Sequence, residues 1–198
     1  MTMEMKYSSA LTGASFMFRE FKKVTSLKYE GLSKAEIRSK VLDENIFEYE
    51  KTTSIKRAIP YVIKRTEALD AWLSRYVLEE PVETAKCINL YGIMKTDRLF
   101  FEFMNEVVRE KLEASDYTLE KKEINIFFSH KAEQDEFLAS WSDSTVQRLK
   151  QAYRKVLVEM GILKNIRSDE LNRIIIDEQI KDHLNRIGDV RYVRAMGE

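Results

Sequence analysis

Apolar residues recur at helical spacing along most of this chain, and capping residues mark the breaks between the runs. Residues 8–30 read as an opening helix rich in aromatics, with Phe16, Phe18, Phe21 and Tyr29, and Gly31 supplies its stop. Ser33 followed three residues later by Glu36 is a capping-box pattern. It starts a short helix with Ile37, Val41 and Leu42 on its buried stripe and an end near Asn45. After a polar turn at Glu48–Lys51, Thr52, Thr53 or Ser54 can cap a second helix that carries Ile55, Ile59, Val62, Thr66, Leu69 and Leu73 on one face. Pro60 interrupts it, and a proline inside a helix predicts a kink or a restart with Pro60 as first residue.

Further along, Pro81 can open a helix with Val82, Ala85, Cys87, Ile88 and Leu90. Asp97 can cap another with Leu99, Phe100, Phe103, Met104 and Val107. Phe127, Phe128, Phe137 and Trp141 are expected to bury against neighbouring helices. Ser142, Asp143 or Ser144 can cap a helix with the stripe Val146, Leu149, Tyr153, Val156, Leu157 and Met160, ended by Gly161. Ile162 and Leu163, a polar stretch and Arg173–Ile176 then predict a small β-hairpin before a helix over 177–187. These elements predict a mainly α protein, a compact helical bundle. Its first part, 1–80, is helix-turn-helix-like. Its second part, 81–198, contains a winged-helix-like segment over 142–187 and packs closely on the first.

Composition supports the helical reading. Only 6 glycines and 2 prolines occur in 198 residues, and no glycines cluster into a phosphate-binding loop of the nucleotide-enzyme type. The length suffices to bury about 70% of the unfolded surface without staples. A single cysteine, Cys87, excludes an internal disulfide or a multi-cysteine metal site and suits a reducing compartment, so the expected location is the cytoplasm. No apolar stretch approaches the ~20 residues of a membrane span, so no membrane association is expected.

The net charge of zero hides a segregation. Residues 19–65 carry a balance of +5, residues 66–145 carry −8, and residues 146–198 carry +3. At 100° per residue, Arg57 and Lys64 fall nearly opposite the apolar face of the second helix, with Lys56 and Arg65 on its flanks and Lys51 just before it. Arg148, Gln151 and Lys155 project from the later helix, Lys164 sits at the base of the expected hairpin and Arg167 near its tip. Cations on the outer faces of amphipathic helices can neutralise phosphates and release counterions, which points to nucleic acid, with duplex DNA as the expected partner. The candidate DNA-binding residues are therefore Lys51, Lys56, Arg57, Lys64, Arg65, Arg148, Gln151, Lys155 and Arg167.

Catalytic chemistry finds little support. His130, His183 and Cys87 are remote from one another in sequence, and the acidic runs single out no pair for acid–base work. No catalytic residue, metal ligand or cofactor is assigned, and no enzyme is expected. Competing readings are a protein scaffold without a nucleic-acid role and an RNA binder. Methionines and aromatics can build a homo-oligomer or fill the core.

The segments YSSALTGASFMFREF (Tyr7–Phe21), GLSKAEIRSKVLDENIF with TTSIKRAIPYVIKRTEAL (Gly31–Leu69), and FFSHK with WSDSTVQRLKQAYRKVL (Phe127–Leu157) resemble the BrxA family, and the likeness spans nearly the whole chain. The resemblance implies a helical, cytoplasmic accessory component of a BREX (bacteriophage exclusion) defence system, encoded with a methyltransferase, an ATPase and a phosphatase-like protein. It also implies binding of double-stranded DNA without chemistry of its own, and other BREX components as partners. It transfers no binding residue position by position.

Overall fold

A computed structural model describes residues 5–198. Two units emerge. One is Phe16–Thr96, and the other joins the described residues up to Ser15 to Asp97–Glu198. The chain thus divides at 15/16 and 96/97, not at the expected 80/81.

The expected opening helix is broken. A short 3₁₀ turn, Ala10–Thr12, precedes helix α1 (Phe18–Tyr29), and Met17 between them adopts a left-handed conformation with φ 44°. The physical reason is the Phe16 carbonyl. It accepts from Arg65 Nη1 at 3.0 Å and from Asn89 Nδ2 at 2.7 Å, so side chains replace the helical hydrogen bond at that point. Gly31 follows α1 with φ +92°, as a helix stop requires.

Helix α2 (Lys34–Asp43) starts on the Ser33–Glu36 capping box and buries Ile37 and Val41. Residues 44–51 connect it to α3 (Thr52–Glu67), a longer link than the three- or four-residue turn of a tight helix-turn-helix. None of Thr52, Thr53 and Ser54 caps α3. Lys51 holds the N-cap position, and its side chain makes no cap bond. Nor does α3 break at Pro60. Pro60 and Lys56, whose carbonyl loses its donor, are both exposed, so water can satisfy the freed group. Leu69 and Leu73 lie beyond α3, because Asp70 caps a separate helix α4 (Ala71–Glu79) through the Leu73 amide at 2.8 Å. Helix α5 (Val82–Thr96) follows Pro81, and its Gly92 lies against the backbone of Arg65. In this unit α1 packs on α3 and α4, while α5 packs on α3 and α4.

In the other unit, Asp97 caps α6 (Arg98–Phe103) through the Phe100 amide at 3.0 Å. The helix runs through a π-helical turn (Met104–Val108) into α7 (Arg109–Glu113). Helices α8 (Lys121–Gln134), α9 (Glu136–Ala139) and α10 (Asp143–Met160) follow, then α11 (Glu178–Arg186) and α12 (Val190–Ala195). Tyr153 is the hub of an aromatic core, with ring centroids of Phe100, Phe103 and Phe128 at 5.0, 5.1 and 5.4 Å. Phe137 is not buried. It is 57% exposed and meets only the Trp141 edge in the ring contacts of α9.

The expected hairpin and wing do not form. Among the described residues the pairing is limited to two isolated antiparallel bridges, Leu163 with Leu171 and Glu170 with Thr118. The Asn165 side chain accepts from the Arg167 and Ser168 amides, both at 3.0 Å, which turns the chain back early. Leu171 therefore takes the pairing position assigned to Arg173–Ile176, and Ile175 is left 93% exposed.

Candidate nucleic-acid interface

The amphipathic character of α3 places its cations. Ile55, Ala58, Ile59, Val62 and Ile63 are buried, so Thr53, Lys56, Arg57, Pro60 and Lys64 form the exposed ridge. Arg57 and Lys64 are seven residues apart, nearly two turns, and lie above one another on that ridge. Lys51, Lys56 and Arg57 make no side-chain hydrogen bond or ion pair with any described residue. Lys64 donates to the Thr96 carbonyl at 2.8 Å and remains exposed. Arg65 departs from the expected flank. It is only 3% exposed and is bound to the Phe16 carbonyl, so it cannot meet a phosphate.

The same layout recurs on α10. Ser142 caps it through the Thr145 amide, Gly161 closes it with φ 81°, and Leu149, Tyr153, Val156 and Leu157 fill its inner face. Arg148, Gln151 and Lys155 are exposed along the outer face at i, i+3 and i+7. Neither Arg148 nor Lys155 is paired with a described residue. Arg167 is exposed in the loop after α10, where Lys164 pairs with Glu170 at 2.9 Å.

One residue that periodicity did not single out organises this region. Arg154 is 6% exposed and its Nη2 donates to the carbonyls of Ile166 (3.3 Å) and Ser168 (2.7 Å) and to Asp169 (3.2 Å). It thereby holds the loop that carries Arg167. The available signal was its place on the helix flank, i+4 from Lys150, but its burial depends on the 164–170 segment folding over it.

Cations of the acidic middle behave differently. Lys131, 9% exposed at its side chain, bridges Glu102 and Glu106, each at 2.7 Å. Lys111 bridges Asp116 at 2.6 Å and Glu123. Burial pushes the Glu102 carboxyl up, but hydrogen bonds from Lys131, Arg98 and Tyr7 outweigh it and hold the group below the ordinary glutamate range. Burial and the same carboxylate push the Tyr7 hydroxyl up to about 12. These lysines are committed to their own carboxylates, whereas the outer cations of α3 and α10 are open to an external anion.

Among the described residues, no three His, Cys, Asp or Glu side chains are placed to hold a metal, and no helix is long and apolar enough to cross a membrane. Cys87 is buried in α5.

The chain is similar to known proteins over almost its full length. It is 39% identical over 194 residues to a BREX protein BrxA of Bacillus cereus (strain H3081.97), covering 98% of this chain and 97% of that protein. A BREX protein BrxA of Paramagnetospirillum magneticum (strain ATCC 700264 / AMB-1) is 21% identical over 193 residues, again covering 98% and 97%. The crystal structure of an uncharacterised protein from Magnetospirillum magneticum shares the fold, with a TM-score of 0.85, 20% identity and coverage of 97% of this chain and 98% of that one. The BrxA family model matches residues 5–188, and with the Bacillus relative this shows that the chain belongs to the BrxA family.

Proposed function

We propose that this protein is a non-catalytic accessory factor of a BREX phage-defence system that binds duplex DNA through the outer faces of α3 and α10. The observation that carries the reading is the set of solvent-open cations, Lys51, Lys56 and Arg57 at and along one helix and Arg148 and Lys155 on the other, left unpaired by carboxylates while Lys111 and Lys131 of the acidic middle are neutralised internally. An unpaired surface cation keeps its full charge for a phosphate, and each phosphate neutralised releases counterions. Gln151 and Thr53 stand on the same ridges and can add hydrogen bonds to backbone or base edges. The acidic residues of the 66–145 stretch are the surface offered to basic regions of other BREX components.

Fluorescence anisotropy of a labelled duplex of about 30 base pairs, titrated at several salt concentrations beside single-stranded DNA and RNA competitors, tests the reading. The expected result is duplex preference with affinity that falls steeply as salt rises. A folded protein that leaves the duplex unbound at low salt would refute DNA binding. Preference for RNA would redirect the assignment to RNA.

A further inference from the structure

Helices α8 and α10 and the loop after α10 enclose a cavity of about 370 Å³. Its polar lining is Lys121, Asn125, Gln147, Lys150, Gln151 and Arg154, with Ile124 and Ile166 as apolar walls. No carboxylate lines it. Lys150 is fixed over the site by the Asn125 side-chain oxygen at 2.8 Å and by the Phe128 ring, 5.6 Å from its centroid. The buried member is Arg154. Only its Nη2 is used, and Nε and Nη1 are buried without a hydrogen-bond partner.

A buried guanidinium with two idle nitrogens is costly unless something compensates it, since buried donors are almost always paired. The loop carbonyls and Asp169 answer one nitrogen only. Asp169 balances the Arg154 charge, and an oxyanion bound between Arg154, Lys150 and Lys121 would supply the acceptors that the idle nitrogens lack and the counter-charge that the two lysines lack, in a setting where charge-assisted hydrogen bonds are strongest. Arginine forks and lysine point charges together are the usual equipment for phosphate. The volume falls within the range of about 300–1,000 Å³ of small-molecule sites and exceeds what a bare phosphate fills. Three carboxamides and two isoleucines are left to meet an organic body attached to it.

We infer that this cavity binds a phosphate group, carried either by a free nucleotide or by a DNA backbone. The site adjoins the outer ridge of α10, with which it shares Gln151, but none of the ridge cations Arg57, Lys64, Arg148 and Lys155 lines it. A free nucleotide would enter whole, with its phosphate against Arg154, Lys150 and Lys121. A backbone would present one phosphate at the cavity mouth.

Calorimetric titration with adenosine monophosphate and with inorganic phosphate, at constant ionic strength, is the test, run beside duplex anisotropy on the same protein. The variants are Lys150→Glu and Lys121→Glu on the rim and Arg154→Met on the floor, each checked by thermal melting. Binding of the nucleotide, weakened about tenfold or more by Lys150→Glu, establishes the site with a free nucleotide as source. Absence of nucleotide binding with a comparable loss of duplex affinity in both Lys150→Glu and Arg154→Met establishes it with the backbone as source. Ligand and duplex binding unchanged in all three folded variants would overturn the inference. Arg57→Glu with Lys64→Glu probes the ridge of α3 alone, so a failure of the duplex reading is separable from a failure of the cavity.

Discussion

Helices α3 and α10 are built from the same parts: an apolar inner stripe, a row of open cations and one buried arginine beside the stripe. They differ in what the buried arginine does. Arg65 gives Nη1 to the Phe16 carbonyl, a backbone group that the break before α1 leaves without a helical donor. Arg154 holds a surface loop with one nitrogen and leaves two others without partners. The first arginine closes a gap in its unit's own hydrogen bonding. The second retains capacity for something outside the protein. Burial is therefore common to both arginines, and their hydrogen-bond partners are what differ.

Paired substitutions can break that comparison. Arg65→Met should destabilise the protein by about 2 kcal/mol in urea unfolding, because a charge-assisted bond to a buried acceptor is lost. Arg154→Met should cost about 1 kcal/mol or less, because removing two unsatisfied donors offsets the lost loop contacts. Equal losses would show that the two arginines serve the same structural purpose.

The helix starts differ as well. Ser142 caps α10 through the Thr145 amide, whereas α3 begins at Lys51 without a side-chain cap. Ser142→Ala should therefore cost about 1 kcal/mol, and Thr52→Ala or Ser54→Ala no more than about 0.5 kcal/mol. Chemical denaturation of the three variants checks this, and a loss at Thr52 matching that at Ser142 would contradict it.

The smallest effect concerns the contrast between open and committed cations. Glu102 has its pKa lowered in the folded state, so the stability it contributes is present above its unfolded pKa of about 4.3 and is lost as pH falls through the folded value. Melting curves through the acid range should show a shallower decline for Glu102→Gln than for the unaltered protein. Arg57→Gln, which removes a cation with no carboxylate partner among the described residues and adds no titrating group, should leave that decline unchanged.

How far the sequence carried depended on the range of the forces. The Ser33–Glu36 box, the caps at Asp97 and Ser142, the stop at Gly161 and the outer positions of Arg57, Arg148 and Lys155 follow from residues a few places apart, and periodicity is sufficient for them. Arg65 was misplaced because its partner, Phe16, lies 49 residues away. The same distant pairing broke the opening helix. Pro60 misled because its penalty assumes a carbonyl shut away from water, and here both residues concerned are exposed. The hairpin failed because one asparagine side chain set the reversal earlier than the apolar pattern implied. The Arg154 cavity was not legible, since it requires α8, α10 and the following loop to be assembled.

The most direct measurement is the slope of log affinity against log salt for a labelled duplex, compared between the unaltered protein and Arg57→Glu/Lys64→Glu. Each phosphate contact contributes about 0.9 to that slope, so loss of both should flatten it by about 2 and weaken binding at least about tenfold at low salt. A duplex bound with the same affinity and the same slope by both proteins would contradict phosphate contact through α3.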